Sequence, residues 1–438
     1  MEVPTQCDVV VIGGGPAGSL CGSLLAEEGF DVVLLEKAVH PRYQVGESLI
    51  PHFWKFCDLA GLTPEIEAEG FLEKAGGTIV WNGEINQMAF KDFGYERPAL
   101  HVERDRFDLI LLNHARKRGV RVFEEVAVTR FESHGDADAS VFWRPVGESG
   151  EGENELRCRY TVDASGQDAL LARQLGLHRT DPDFRFMSMW GYYEGSSFVA
   201  LDGKVHPAEM LTSIAPTTFV SSTELLGRWG WVWQIPLRET TSVGMIVPMD
   251  RLKAAKAEPG GAEGFFRRIC SEVPLLQDLL APARYEEGGF HLLRNYSHSS
   301  TAVAGPGFFL IGDAAAFVDP VLSAGVTVSL YSAWLCAWTV GRCLRSPERV
   351  ASHQDFYTQR LVERVTVYRS LVLPAYEGRK QMADDARRTI RREPLTEQAL
   401  MAVATALTDR SVDIDAFVDP TARHDLSSRF RTLEGLEF

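Results

Sequence analysis

The stretch CDVVVIGGGPAGSLCGSLLAEEGFDVVLLEK, residues 7–37, leaves this chain little choice of architecture. An apolar, β-branched run at 8–12 meets a glycine turn. A helix of small residues follows at roughly 16–28, and a second apolar strand at 31–35 ends in Glu36. This is a βαβ unit, and Gly13, Gly15 and Gly18 form G-x-G-x-x-G within it. The first glycine allows the tight turn, the second lets backbone approach a pyrophosphate, and the third lets the helix pack on its strand. The helix start offers unpaired N–H groups and a positive dipole to phosphates. Glu36 can accept hydrogen bonds from a ribose. A lone G-x-G-x-x-G is a weak signal; one set between two strands, with the acid in place, specifies dinucleotide binding.

The whole chain, 438 residues, has room for two or three domains or one elaborate α/β body. A formal charge of −15 argues against nucleic acid or an anionic membrane as partner. The seven cysteines are scattered and show no C-x-x-C or Cys/His ligand spacing, so no metal site is expected, and reduced thiols in a cytoplasmic protein are the simplest reading. Polar residues enter a strand almost at once, with no signal peptide ahead of it. The apolar segment 308–344 is interrupted by Asp313, Asp319 and Pro320, and reads as buried strand, turn and helix, not a membrane span.

Residues 101–119 read as a strand end and a helix, and 157–176 as strand, turn Asp163-Ala164-Ser165-Gly166 and helix. Between about 185 and 248 the pattern is β-rich. There Trp231, Trp233 and Ile235 alternate along one strand and share a face. Read alone, that is a core strand ended by Pro236. Residues 251–290 alternate helix with Gly/Pro-rich connections, and from about 346 the chain reads as helical and more charged. No second G-x-G-x-x-G opens a βαβ unit for a separate NAD(P)H domain.

The order GGGPAG, VERDRFD, VDASG, LIGDAA resembles the superfamily of FAD-dependent monooxygenases, geranylgeranyl-reductase-type enzymes and flavin-dependent halogenases, over about residues 5 to 345. Four stretches narrow it. Trp231-Val232-Trp233-Gln234-Ile235-Pro236 fits the halogenase signature W-x-W-x-I-P; VGESLIP (45–51), KAGG (74–77) and FVDPVLSAG (317–325) look like the phenol- and pyrrole-acting branch. The resemblance implies an α/β fold: a Rossmann-like FAD-binding domain of the aromatic-hydroxylase type, with an inserted β-rich substrate domain and a helical C-terminal region. The expected boundaries are 1–65, 100–180 and 298–345 for the first, 66–99 and 181–297 for the second, and 346–438 for the third.

The same resemblance implies FAD, working as FADH₂, with Glu36 on the adenosine ribose, Arg104 near the cofactor and Asp313 on the ribitol. Gly13, Gly15, Pro16, Ala17, Gly18, Lys37, Asp163, Gly312, Pro320, Gly325 and Val326 complete the expected cofactor contacts. In a halogenase, O₂ and reduced flavin give a C4a-hydroperoxide, which chloride or bromide attacks to form hypohalous acid. Trp231 and Trp233 would wall the organic substrate off from that oxidant. Backbone around Ser323, Ala324 and Gly325 would hold the halide. Lys74 would take the electrophile, and Glu47 is a candidate base whose reading as a cofactor-side structural contact stays open.

Tryptophan halogenases place a glutamate near the lysine where this chain has Leu322, so a phenol or pyrrole, which activates its own ring, is the expected acceptor. A separate flavin reductase would supply FADH₂ by diffusion. The acceptor is either free or tethered to an acyl or peptidyl carrier protein, and the basic cluster Arg387, Arg388, Arg391 and Arg392 is a candidate docking face for an acidic carrier. Two alternatives stay open: an aromatic hydroxylase or reductase using NAD(P)H, and a non-catalytic flavoprotein partner.

Overall fold

The computed structural model describes residues 2–372 and 431–438, apart from 82, 94, 149–151, 226 and 227. Its first sheet has six strands in the order Ala304–Gly305, Phe308–Leu310, Tyr160–Asp163, Val9–Ile12, Val32–Leu35, Arg121–Phe123. All neighbours are parallel except the edge strand Ala304–Gly305. Strands Val9–Ile12, Val32–Leu35, Tyr160–Asp163 and Phe308–Leu310 are buried at every residue, the pattern of parallel strands covered on both faces. One core joins them to Leu20, Cys21 and Leu25 of helix Pro16–Glu27, to Phe107, Leu111 and Leu112 of helix Arg104–Lys117, and to Leu330, Cys336 and Val340 of helix Gly325–Arg345.

Register brings three loops together. Ile12 pairs with Asp163 and Asp163 with Leu310, so the glycine loop, the Asp163 turn and the Gly312–Asp313 turn all leave the sheet at its carboxyl edge. Parallel α/β sheets bind ligands at that edge.

The second sheet has nine strands. It runs from Arg284–Tyr285 through Phe186–Glu194, Thr241–Pro248, Arg228–Pro236, Thr217–Leu225, Gly76–Trp81 and Glu84–Ala89 to Arg431–Leu433, and His291–Arg294 also pairs with Phe186–Glu194. Side-chain alternation gives it two different faces. Met189, Val232, Val243 and Met245 face helices Gly261–Glu272 and Pro274–Leu280, packing on Phe265, Phe266, Ile269 and Leu276. Trp190, Trp231, Trp233, Ile235 and Ile246 face the other way, onto Val45, Phe317, Val318, Val321 and Leu322. The tryptophan face is thus the seam between the second sheet and the 317–322 segment that follows the first.

The C-terminal part is helical over Val350–Val372. The last described residues depart from the helical expectation: Arg431–Leu433 adds an antiparallel strand to Glu84–Ala89, and Val205 N–H bonds the Glu437 carbonyl. So short a segment takes its conformation from the open sheet edge it pairs with, which its own composition does not reveal. The Arg387 to Arg392 cluster lies outside the described residues. All seven cysteines are free and buried. Among the described residues no helix is long and apolar enough to cross a membrane.

Candidate active site

The nucleotide end is built by close backbone contact. Gly13 sits at φ +104°, and a Cβ there would lie 2.5 Å from the Ala164 carbonyl oxygen. A Cβ on Gly18 would lie 2.0 Å from the Gly13 carbonyl oxygen, so any larger residue pushes the helix off the turn. Helix Pro16–Glu27 opens from an extended Gly15, with Pro16 in its first turn, no side-chain cap and no acid in that turn. Its terminal N–H groups are left for an anion, which fits the pyrophosphate of FAD. Gly312 meets the same helix start: a Cβ there would lie 3.2 Å from the Ala17 Cβ.

The expected polar contacts divide. Glu36 is buried beside the loop and accepts from Gly14 N–H at 2.6 Å and Ala38 N–H at 2.8 Å. Asp313 is half-buried at the third loop; Gln167 Nε2 donates to it at 3.0 Å, and desolvation raises its pKa. Arg104 is buried against Asp108, at 2.9 and 3.1 Å, and donates to the carbonyls of Val45 (2.6 Å) and Gly46 (3.3 Å). It clamps the 45–46 loop with hydrogen-bonding capacity that was expected for the cofactor. Asp163 spends both carboxylate oxygens on its own turn, accepting from Ser165 N–H at 2.9 Å and Leu171 N–H at 2.7 Å. Lys37 is exposed and ion-paired with Asp168. Asp163 thus holds its own turn, and Lys37 ties the end of strand Val32–Leu35 to the Asp168 turn.

Lys74 ends strand Leu72–Lys74, which pairs with Ala99–His101. It is only 3% exposed. Its Nζ donates to Ser48 Oγ at 2.8 Å and to the Leu49 carbonyl at 3.1 Å, and lies 5.2 Å from the centre of the Phe90 ring. Burial alone brings its pKa down to about 7, so an appreciable fraction is neutral amine near neutral pH. Ser323 Oγ donates to the same Ser48 oxygen at 3.0 Å. One hydroxyl therefore separates the lysine from the 323–325 turn expected to hold the halide.

That turn is specific in shape. Asp319 Oδ1 accepts from Val321 N–H at 3.0 Å, and Ser323, at φ +54°, donates its own N–H to the Pro320 carbonyl at 2.9 Å. The Ser323 N–H is thus already engaged. The N–H groups that the helix start leaves without intrahelical carbonyls belong to Ala324, Gly325, Val326 and Thr327. Gly325 keeps space beside Phe317, whose Cε2 would lie 3.2 Å from an added Cβ.

Trp231 and Trp233 are both buried, their rings 5.8 Å apart and tilted by 50°. Gly244 makes room for Trp233: a Cβ there would lie 2.2 Å from its Cζ2. Glu47, beside Ser48 in sequence, is not brought to Lys74. It accepts from Tyr192 Oη at 2.5 Å, and Tyr192 in turn meets Tyr43. Burial raises the Glu47 pKa. An extended backbone sends neighbouring side chains to opposite sides, and Ser48 takes the side that faces the lysine.

Sequence reasoning missed Ser48, Thr218 and His101. Ser48 lies inside a quoted motif and His101 directly precedes VERDRFD. A polar residue in an otherwise apolar strand is the one signal either carries. Thr218 has none.

The chain matches the FAD binding domain family over residues 6–366. It is 36% identical over 361 residues to the tryptophan 2-halogenase of Chondromyces crocatus, covering 82% of this chain and 65% of that protein's length. It is 33% identical over 403 residues to the flavin-dependent halogenase armH5 of Armillaria mellea, covering 87% of this chain and 74% of the relative. The fold superimposes on the crystal structure of the flavin-dependent halogenase CmlS with a TM-score of 0.76, at 27% identity, over 92% of this chain and 73% of that one. The myxobacterial chondrochloren halogenase CndH gives a TM-score of 0.75, at 27% identity, over 92% and 97%.

Proposed function

Because this chain belongs to the flavin-dependent halogenases, we propose that it halogenates an electron-rich aromatic ring, using chloride or bromide and O₂, with Lys74 delivering the halogen. Bound reduced flavin would supply the oxidising power, with O₂, to turn halide into hypohalous acid. The observation that carries the reading is Lys74 itself: buried, without a carboxylate partner among the described residues, and one hydroxyl from the 323–325 turn. The Gly325 to Thr327 N–H groups offer the halide a positive helix end. The tryptophan face, packed on Val318, Val321 and Leu322, keeps a ring-sized substrate from passing that seam. Lys74, neutral in part at pH 7, is free to hydrogen-bond hypohalous acid or to take the halogen onto nitrogen.

Leu322 supports a phenol or pyrrole as acceptor. It packs among apolar residues of both neighbouring clusters and puts no carboxylate beside the lysine to remove a proton from an indole ring. The resemblance to a tryptophan 2-halogenase supports the second reading, an indole acceptor. Reduced flavin from a separate reductase and a free or carrier-tethered acceptor belong to the same proposal. The test supplies FAD, a flavin reductase, halide and a panel of phenols, pyrroles and indoles, free and carrier-bound, with products read by mass spectrometry. Lys74→Ala is expected to keep flavin oxidation and lose product by about a hundredfold or more; undiminished product would remove Lys74 from the mechanism.

A further inference from the structure

Counting hydrogens around Lys74 gives its hydrogen-bond network a direction. Ser48 Oγ accepts from Lys74 Nζ at 2.8 Å and from Ser323 Oγ at 3.0 Å. A hydroxyl oxygen has two lone pairs and one hydrogen. With both lone pairs taken, the Ser48 hydrogen goes to Thr218 Oγ1, 2.8 Å away. Thr218, accepting there, turns its own hydrogen to His101 Nε2 at 2.9 Å. Every hydroxyl in the chain has a partner only if Nε2 carries a lone pair, which puts the ring hydrogen on Nδ1, toward the Pro236 backbone that it does not reach in a full hydrogen bond. All four members of the chain are buried, His101 completely.

We infer that His101 is a positioning residue for Lys74: as the terminal acceptor it orients Thr218 and Ser48 so that their hydrogens point away from the amine. The inference rests on the role proposed above for Lys74. A neutral amine has two N–H bonds and one lone pair. Ser48 Oγ and the Leu49 carbonyl match the two N–H bonds, and the lone pair stays free for the incoming halogen. A protonated His101 would reverse every hydrogen in the chain and aim the Ser48 hydroxyl at that lone pair. Burial, and then the nearby Lys74 charge, hold the His101 pKa far below its ordinary range, so the reversed chain is not formed at neutral pH.

The other titratable groups packed around the lysine pocket are Tyr95 and Tyr368, beside Phe90. Burial pushes both phenols up, Tyr368 to about 12, so neither competes for the proton. Among the described residues no carboxylate pairs with Lys74 or His101.

The test reads the Lys74 Nζ titration by NMR in the full-length protein labelled with nitrogen-15 lysine, alongside product formation. Thr218→Val, nearly isosteric, cuts the chain in the middle; His101→Leu removes its end; His101→Gln keeps an acceptor at the Nε2 position. In the first two variants the released Ser48 hydrogen turns to the lysine lone pair and stabilises neutral amine. The Lys74 midpoint should fall by about one pH unit, a tenfold change in its ionisation constant, while turnover falls and KM for the aromatic acceptor holds. The Gln variant should restore both. An unmoved midpoint, a midpoint rising toward that of a solvated lysine, or failure of Gln to restore would overturn the inference. Because the midpoint is read without turnover, it separates this network from the role of Lys74, which Lys74→Ala tests.

Discussion

Burying an ammonium group with no anion beside it costs free energy, and Lys74 carries that cost in the folded chain. Folded, it loses its proton near pH 7; unfolded, near its ordinary 10.5. Between those values the unfolded chain binds more protons, so stability rises with pH across that window. Below about 7 the whole penalty is present, on the order of 5 kcal/mol. Lys74→Met removes the titrating group and keeps the apolar stem. It is expected to be more stable than the parent at pH 6.5, with the gap closing as pH approaches 10, measured by urea unfolding at several pH values. A gap that stays constant would mean the amine is solvated. A residue held at such cost has a use, and the uncharged form supplies one: a nucleophile available at neutral pH.

At the scale of elements, the tryptophan strand depends on the strand beside it. Trp233 pairs with Gly244 across the ladder and its ring fills the space where a Cβ would stand. Gly244→Ala forces the indole out of place, since the nearest ring atom would be 2.2 Å away. The expected loss is about 1–3 kcal/mol of stability by chemical denaturation, with bound flavin retained. The displaced ring should also loosen the contact with Val318, Val321 and Leu322, seen as free hypohalous acid trapped outside the enzyme during turnover. Unchanged stability would show that the seam is less closely packed than the geometry gives. The element-level motif W-x-W-x-I-P was visible in the sequence, whereas Gly244, which admits it, lies on another strand and carried no local signal.

Across the whole molecule, the three loops at the carboxyl edge of the first sheet and the lysine pocket belong to different regions of the chain, joined through residues 45–49. Arg104 grips Val45 and Gly46 from the nucleotide side; Ser48 and Leu49 hold Lys74 from the other. Damage to the glycine loop should therefore be separable from damage to the lysine pocket. Gly15→Val places a branched side chain where backbone must approach the pyrophosphate and should abolish flavin absorbance in the purified protein, leaving the Lys74 titration as in the parent. A yellow Gly15→Val protein would contradict the phosphate-turn assignment.

The sequence by itself determined the βαβ unit and the alternating tryptophan face, because each depends on residues close together in the chain: a glycine turn between two apolar runs, and a period of two. Lys74 was singled out only through the family resemblance. The sequence carried that too, through the order of separated motifs. Tertiary structure alone decided which polar groups meet. Glu47 and Ser48 are neighbours, yet the pleat sends one to Tyr192 and the other to Lys74. Asp163 and Lys37 matched the expected pattern of cofactor contacts, yet Asp163 bonds its own turn and Lys37 pairs with Asp168 of another. His101 and Thr218, 117 residues apart, meet at 2.9 Å only because the short strand Ala99–His101 is brought against Thr217–Leu225 of the second sheet. Hydrogen bonds are short-ranged and directional, so their partners are settled by three-dimensional placement, which local sequence pattern does not encode.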